Sequence, residues 1–367
     1  MGGGITLKDV LMLAAVDSSL VGIIFNVFEK VKMRFLKLSL LLLFFCSTMF
    51  CTTTFAQSTP QKGVQVGDID TKADPCTDFF QFANGKWRAE NPIPASMVRW
   101  SRRWQAGEDA KEQLRGILDD VSRKTDWPRG SVEELISDYY GSCMNEAAVN
   151  KLGIAPARPM LTKIDAMKSP ADLQSTIRQL NDIFVFAPFA FTSIPDNHNP
   201  TETIANISAA GLGLPDRDYY LKTEPRFQDA REKYLVHVAA MFKLAGYDDA
   251  KAKAAAQTVF QMEKKLAEAS LDNVALRDPQ ATDHKTTFVD LKKLAPAVDW
   301  DGYFNAAKLS HADLNVAEPK FLQEVDRQIR QTPMADWKTY LKWHFIHSAA
   351  NELSDPFVNE NFAFYGK

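Results

Sequence analysis

Beyond about residue 130 the apolar positions recur every three to four residues, the period of a helix with one buried face. Ser131-Val132-Glu133-Glu134 reads as a capping box, in which a hydroxyl and a carboxylate satisfy two otherwise unpaired amides. Leu135, Tyr139 and Met144 follow it near helical spacing. Ser169-Pro170-Ala171-Asp172 opens another helix, with proline at its first position and an acid in its first turn. Leu173, Ile177, Leu180 and Phe184 mark one face of it. A long helix is expected from about Pro225 to Gly246, where glycine supplies the left-handed residue after the last turn. The alanine-rich stretch 249–269 comes next, with Val259, Met262 and Leu266 on one stripe, and Glu318–Ile329 and Trp337–Leu353 give two more helices.

A period of two appears only over Phe184–Ile194 and Thr203–Ala209. Phe184, Phe186, Phe189 and Phe191 approach strict alternation, and Pro188, which lacks an amide proton, confines that run to a sheet edge. The expected fold class is therefore mainly α: one large multi-helix domain carrying a small β-hairpin. No internal repeat, low-complexity tract or interdomain linker breaks the pattern after about Asp68.

Composition narrows this further. With 46% hydrophobic and 24% charged residues the 367-residue chain is globular, and its 17 glycines favour helices over a loop-rich β fold. A net charge of −3 provides no bulk positive field, so nucleic acid is not an expected partner.

The start of the chain reads as a leader. Lys30, Lys32, Arg34 and Lys37 precede the apolar run Leu38–Phe50, and Thr54-Phe55-Ala56 is a small-residue exit followed by polar Gln57-Ser58-Thr59-Pro60. That apolar run is short of the ~20 residues that span a bilayer. The expected organisation is a leader over 1–56, with a signal peptide over 33–56 starting at Met33 and residues 1–32 reflecting a misassigned start. A flexible mature N-terminus follows over 57–73, and the folded region over 74–367. Cleavage after Ala56 implies a secreted or periplasmic protein that meets a membrane only through an uncleaved leader. Cys76 and Cys143 would then sit in an oxidising compartment, where both a disulfide and free thiols are open to them.

Catalytic signatures are missing from the residues themselves. A zinc-protease helix needs two histidines at i and i+4 so that both imidazoles face one ion. None of the six histidines is followed by glutamate, and the closest pair, His344 and His347, is spaced i, i+3. His344 shares an apolar stripe with Trp337, Tyr340 and Leu341, which reads as a core histidine. There is no G-x-S-x-G elbow, Walker A loop or G-x-G-x-x-G turn.

Four segments carry the reading further. The run Asp74-Pro75-Cys76-Thr77-Asp78-Phe79-Phe80-Gln81-Phe82-Ala83-Asn84-Gly85-Lys86-Trp87 closely resembles the opening motif of the neprilysin-like M13 zinc metallopeptidases. Gly211-Leu212-Gly213-Leu214-Pro215-Asp216-Arg217-Asp218-Tyr219-Tyr220-Leu221 is similar to that family's mid-domain signature. Glu263 to Pro279, with Leu266-Ala267, Ala269-Ser270 and Arg277-Asp278-Pro279, resembles its next block. Trp337-Lys338, Tyr340-Leu341 and Asn361-Phe362-Ala363-Phe364-Tyr365-Gly366 resemble the segment that precedes the protease half. The glycine segment also has a plain folding role. Gly211 and Gly213 permit a tight turn, Pro215 fixes its exit, Asp216, Arg217 and Asp218 clamp it, and Tyr219 and Tyr220 pack beneath.

The resemblance implies the N-terminal, substrate-enclosing domain of a secreted zinc metalloendopeptidase acting on short peptides. In that family the zinc ligands and the catalytic glutamate, which activates a zinc-bound water, lie C-terminal to the Phe-Tyr-Gly motif, so the chain is expected to hold neither zinc nor activity alone. The missing partner would be the catalytic domain, which in the family also supplies partners for cysteines such as Cys76 and Cys143. Arg99-Trp100-Ser101 resembles the family's Arg-aromatic-Gly element, whose arginine reaches the C-terminal side of the substrate. A planar guanidinium suits a free carboxylate through two parallel hydrogen bonds. Ser101 replaces the usual glycine and Arg102-Arg103 follow, so these two arginines are the alternates for the contact. The other readings are a stand-alone periplasmic peptide-binding module and a gene fragment without function.

Overall fold

A computed structural model describes residues 65–366. The leader assigned to 1–56 lies outside them. The described residues divide into two compact units, one ending at Ala110 and one beginning at Lys111.

In the first unit, helix α1 (Phe79–Glu90) starts where the Asp78 carboxylate accepts the amide of Gln81. Of the stretch expected to be flexible, residues 65–73 carry a single 3-10 turn, Val66–Asp68, and lie against α1. The Asp70 amide donates to the Phe82 carbonyl at 2.8 Å, and its carboxylate accepts from Gln81 at 3.0 Å. Helix α2 (Arg102–Arg123) begins in this unit.

The second unit continues with α3 (Val132–Met144), α4 (Glu146–Leu152), α5 (Arg158–Ala166) and α6 (Pro170–Asp182). A hairpin of β1 (Phe189–Asp196) and β2 (Asn199–Ala209) follows, then α7 (Asp218–Leu221), α8 (Pro225–Leu244) and α9 (Asp249–Ala269). After α10 (Pro279–Thr282) come β3 (Lys285–Thr286), α11 (Phe288–Leu294), α12 (Trp300–Ala306) and β4 (Leu314–Val316). Helices α13 (Pro319–Gln331), α14 (Met334–Ala349) and α15 (Asp355–Tyr365) complete the described chain. None of the described helices is long and apolar enough to cross a membrane.

The mainly α architecture is as the sequence predicts, and the hairpin is part of a larger sheet. Its order is β1-β2-β4-β3: β2 pairs antiparallel with β1 and parallel with β4, and β3 pairs antiparallel with β4. Strand β1, just after Pro188, lies at the edge.

The caps explain where the helices begin and end. Ser169 and Asp172 form a reciprocal capping box on α6. At α3 the Ser131 hydroxyl caps the Glu134 amide, but the Glu134 carboxylate accepts from Gly130 instead of closing a box. Helix α8 ends in a Schellman turn, with Gly246 at φ +97° and the Tyr247 amide donating to the Phe242 carbonyl at 3.1 Å.

Two apolar cores organise this unit. One lies under the sheet, where Phe189 and Ile207 meet Leu173, Ile177, Trp300 and Leu341. The other joins α8, α9, α14 and α15 through Tyr234, Val238, Phe242, Val259, Trp343 and Phe357. Two expected core faces are not buried. Leu135, Tyr139 and Met144 on α3 are exposed, and so is Phe184, which falls beyond the end of α6.

Candidate functional site

The three candidate arginines fall in the first unit, and their surroundings separate them. The Arg102 guanidinium grips the Asp68 carboxylate, with Nε donating at 2.9 Å and a second, shorter contact from Nη2. It also lies over the Trp87 ring, 5.3 Å from its centroid. Arg102 in turn holds the Asp68 carboxyl below the usual carboxylate range. This fork is committed within the fold. Arg103, on the first turn of α2, is exposed.

Arg99 has no carboxylate partner among the described residues. Its guanidinium lies over the Trp104 ring at 4.8 Å, a cation–π contact that leaves the N–H edge open. It lines a surface cavity of about 590 Å³, walled by Phe80, Trp87, Ile93, Val98 and Trp100 and sharing a second cation, Arg88. An open guanidinium beside an aromatic wall can take a carboxylate while apolar groups pack alongside.

The glycine-rich segment lies in the second unit and is a structural hub. Tyr220 Oη accepts from the amides of Gly213 and Leu214, at 3.1 and 2.9 Å, and donates to Glu263 at 3.0 Å. The Tyr234 hydroxyl lies 2.8 Å from both Glu263 oxygens. The Tyr340 hydroxyl donates to the Gly211 carbonyl at 2.9 Å, and that of Tyr365 to the Gly213 carbonyl at 2.8 Å. Glycine is required at both positions: a Cβ would stand 2.0 Å from Tyr340 Oη at Gly211 and 1.9 Å from Tyr234 Oη at Gly213. Gly211 also has φ +77°. The charged residues clamp both the turn and its neighbours: the Asp216 carboxylate accepts the Asp218 amide at 2.8 Å. Asp216 accepts from Asn273 at 2.7 Å, Arg217 donates to the Ser270 carbonyl at 2.8 Å, and Asp218 pairs with Lys222.

Glu263 is the residue that sequence reasoning missed. It is fully buried on α9. Its position inside a family-like block was the only signal, since a helical glutamate ordinarily reads as solvated. Burial pushes the pKa of Tyr220, Tyr234 and Tyr340 well above the ordinary tyrosine value, so these hydroxyls stay protonated and act as donors and not as acids.

The histidines belong to the same packing. His344 is buried as expected, with Nε2 3.2 Å from Glu263. His237 Nδ1 lies 2.9 Å from Glu360, and burial nevertheless lowers its affinity for a proton. His347 stacks on Trp343 at 5.4 Å, and burial together with neighbouring His344 and His237 lowers its pKa to about 4. These imidazoles are packing groups.

Zinc does not fit this constellation. Among the described residues no group of three or more histidine, cysteine, aspartate or glutamate side chains is placed to hold a metal ion. Cys76, in the first unit, and Cys143, in the second, are both exposed free cysteines.

The chain was compared with known proteins. The profile for the N-terminal region of peptidase family M13 matches residues 75–367. Endothelin-converting enzyme 1 of Rattus norvegicus is 26% identical over 306 residues, covering 80% of this chain and 39% of its own length. Endothelin-converting enzyme-like 1 of Mus musculus is 27% identical over 310 residues, with 79% and 39% covered. The crystal structure of Mycobacterium tuberculosis zinc metalloprotease ZMP1 in complex with an inhibitor superposes with a TM-score of 0.74 at 27% identity. That match covers 83% of this chain and 46% of the other. The chain thus spans about 39% of the length of these curated relatives. With the family motifs standing in order along the sequence, the chain belongs to peptidase family M13, a family of zinc metallopeptidases, and its matched part is the N-terminal region.

Proposed function

We propose that this chain is the substrate-enclosing helical half of a secreted zinc metalloendopeptidase, and that Arg99 receives the C-terminal carboxylate of a short peptide. The observation that carries the assignment is the contrast between two neighbouring arginines. Arg102 is held by Asp68, whereas Arg99 presents its N–H edge at an aromatic-walled cavity. A carboxylate there would accept two parallel bonds from Arg99, and the peptide's last side chain would lie against the cavity wall. Hydrolysis belongs to the zinc-carrying half, and this chain's part is to hold and orient the peptide.

The experiment is a titration of the purified chain with a short apolar peptide, once with a free and once with an amidated C-terminus. The free acid should bind about tenfold more tightly, as a charge-assisted contact at an open site warrants. Arg99→Ala should remove that preference, and Arg103→Ala should leave it. Equal affinity for acid and amide would refute the role of Arg99. Metal analysis should find no tightly bound zinc, and the chain alone should cleave no peptide. Export through the leader predicts a mature N-terminus at Gln57.

A further inference from the structure

Helix α6 and helix α8 end in the same turn built from different residues. In α8 the residue after the helix is Gly246, at φ +97°, and the next amide, of Tyr247, donates back to Phe242. In α6 the matching residue is Phe184, at φ +61°. Its amide donates to the Asn181 carbonyl at 2.9 Å and that of Val185 to the Leu180 carbonyl at 2.8 Å, the bond pair of a Schellman turn. The left-handed conformation is open to glycine without steric penalty, and a bulky aromatic residue there is strained. Phe184 nevertheless occupies it, and its side chain is 79% exposed.

The fold gains little from that ring. Among the described residues its one aromatic contact is with Phe186, edge-to-face at 6.0 Å, and adjacent Ile183 is 48% exposed. A strained backbone that displays an apolar ring to water points to a contact made outside the described residues. We propose that Phe184, flanked by Ile183 and Phe186, is a docking knob for the zinc-carrying half of an M13 peptidase. The inference rests on the reading under Proposed function. The occupant follows from the comparisons. The chain spans 39% of the endothelin-converting enzyme relative and 46% of the tuberculosis metalloprotease, so in each relative more than half of the protein lies outside the match. The same unit also carries α3, a helix without one buried residue and with Leu135 and Tyr139 exposed. The knob is thus one part of a helical half whose apolar surface calls for a cover.

The test has two arms. In the chain alone, Phe184→Gly and Phe184→Asn relieve the strain and should raise the melting temperature by about 2–4 °C. The second arm joins the whole chain, through Lys367, to the zinc-carrying half of the Mycobacterium tuberculosis enzyme as one polypeptide. There the same substitutions should lower the melting temperature by a similar amount, because the knob's contact is lost. A rise in both proteins would overturn the proposal, since Phe184 would then be covered by neither half. A fall in the chain alone would overturn it too, by making Phe184 a folding residue. Self-association of the chain that Phe184→Gly abolishes would assign the knob to a second copy instead and so overturn it. If the joined protein with Phe184 intact binds no zinc by metal analysis and melts as two independent halves, the family-half reading itself fails. A docking role unsupported while zinc is bound and melting is cooperative leaves that reading standing.

Discussion

The joint between α8, α9 and α14 and the pair α2–α3 are both helical, and they use their apolar residues in opposite ways. In the joint a single carboxylate, Glu263, draws Tyr220 and Tyr234 inward, and Gly211 and Gly213 let Tyr340 and Tyr234 approach the backbone directly. The rows Val238-Met241-Phe242 on α8 and Val259-Met262-Leu266 on α9 are buried. Helices α2 and α3 together contain no buried residue, although Leu114, Ile117, Leu135 and Tyr139 would give any ordinary amphipathic pair a seam. Identical periodicity has two outcomes. In one the pattern names a core within this chain, and in the other it names a surface.

Gly211 offers the hardest way to break that contrast. Alanine there meets the Tyr340 hydroxyl and the backbone of Pro188, and it must also adopt φ +77°. Tyr340 is fully buried and cannot swing aside without abandoning its bond to Gly211. Gly211→Ala should therefore destabilise the chain by about 3 kcal/mol or more, read from the shift of the urea midpoint. A cost below about 1 kcal/mol would mean that the loop relaxes freely and that the joint is not the rigid hub described above.

The histidines give a second handle, through pH. His347 has its pKa lowered to about 4 in the folded chain, chiefly by burial, against about 6.5 when unfolded. The unfolded state thus binds more protons between those values, and stability falls as pH drops from about 6.5 to 4. The difference corresponds to about 2–3 kcal/mol at the acid end. His347→Gln, which stays neutral, should flatten that limb of the curve. Urea midpoints at pH 7 and pH 4.5 would show it, and an unchanged slope in the variant would assign the acid sensitivity to other groups.

How much of this was legible beforehand divides along the same line. Helices announced by caps and stripes, such as α6, α8 and α9, were readable because local hydrogen bonds and one buried face determine them. Strands β3 and β4 were not, since two and three residues carry no period and pair only with chain segments far away in sequence. Glu263 was hidden for a similar reason: its burial depends on Tyr220 and Tyr234, which lie 43 and 29 positions away. The arginine turn left three candidates because Asp68, which removes Arg102 from contention, stands 34 positions upstream. Phe184 looked like the next core residue of α6 by spacing alone, and only the turn geometry places it outside.

The mildest prediction tests the unburied side of the comparison. Leu135 and Tyr139 on α3 are 63% and 74% exposed, so removing their apolar surface takes little from the folded state of this chain. Leu135→Ser with Tyr139→Ser should change its stability by no more than about 0.5 kcal/mol, the range of ordinary surface substitutions. The helix should persist, because the Ser131 cap and the acids of its first turn are untouched. The same pair of changes should reduce any binding of 8-anilinonaphthalene-1-sulfonate, a dye that reports exposed apolar surface. A loss of several kcal/mol would show that α3 packs within this chain in solution, and the distinction between a core-forming and a surface-forming stripe would then have to be drawn elsewhere. A near-zero change alongside a large effect at Gly211 would locate the chain's own stability in the tyrosine–glutamate joint and leave the α2–α3 face available for a partner.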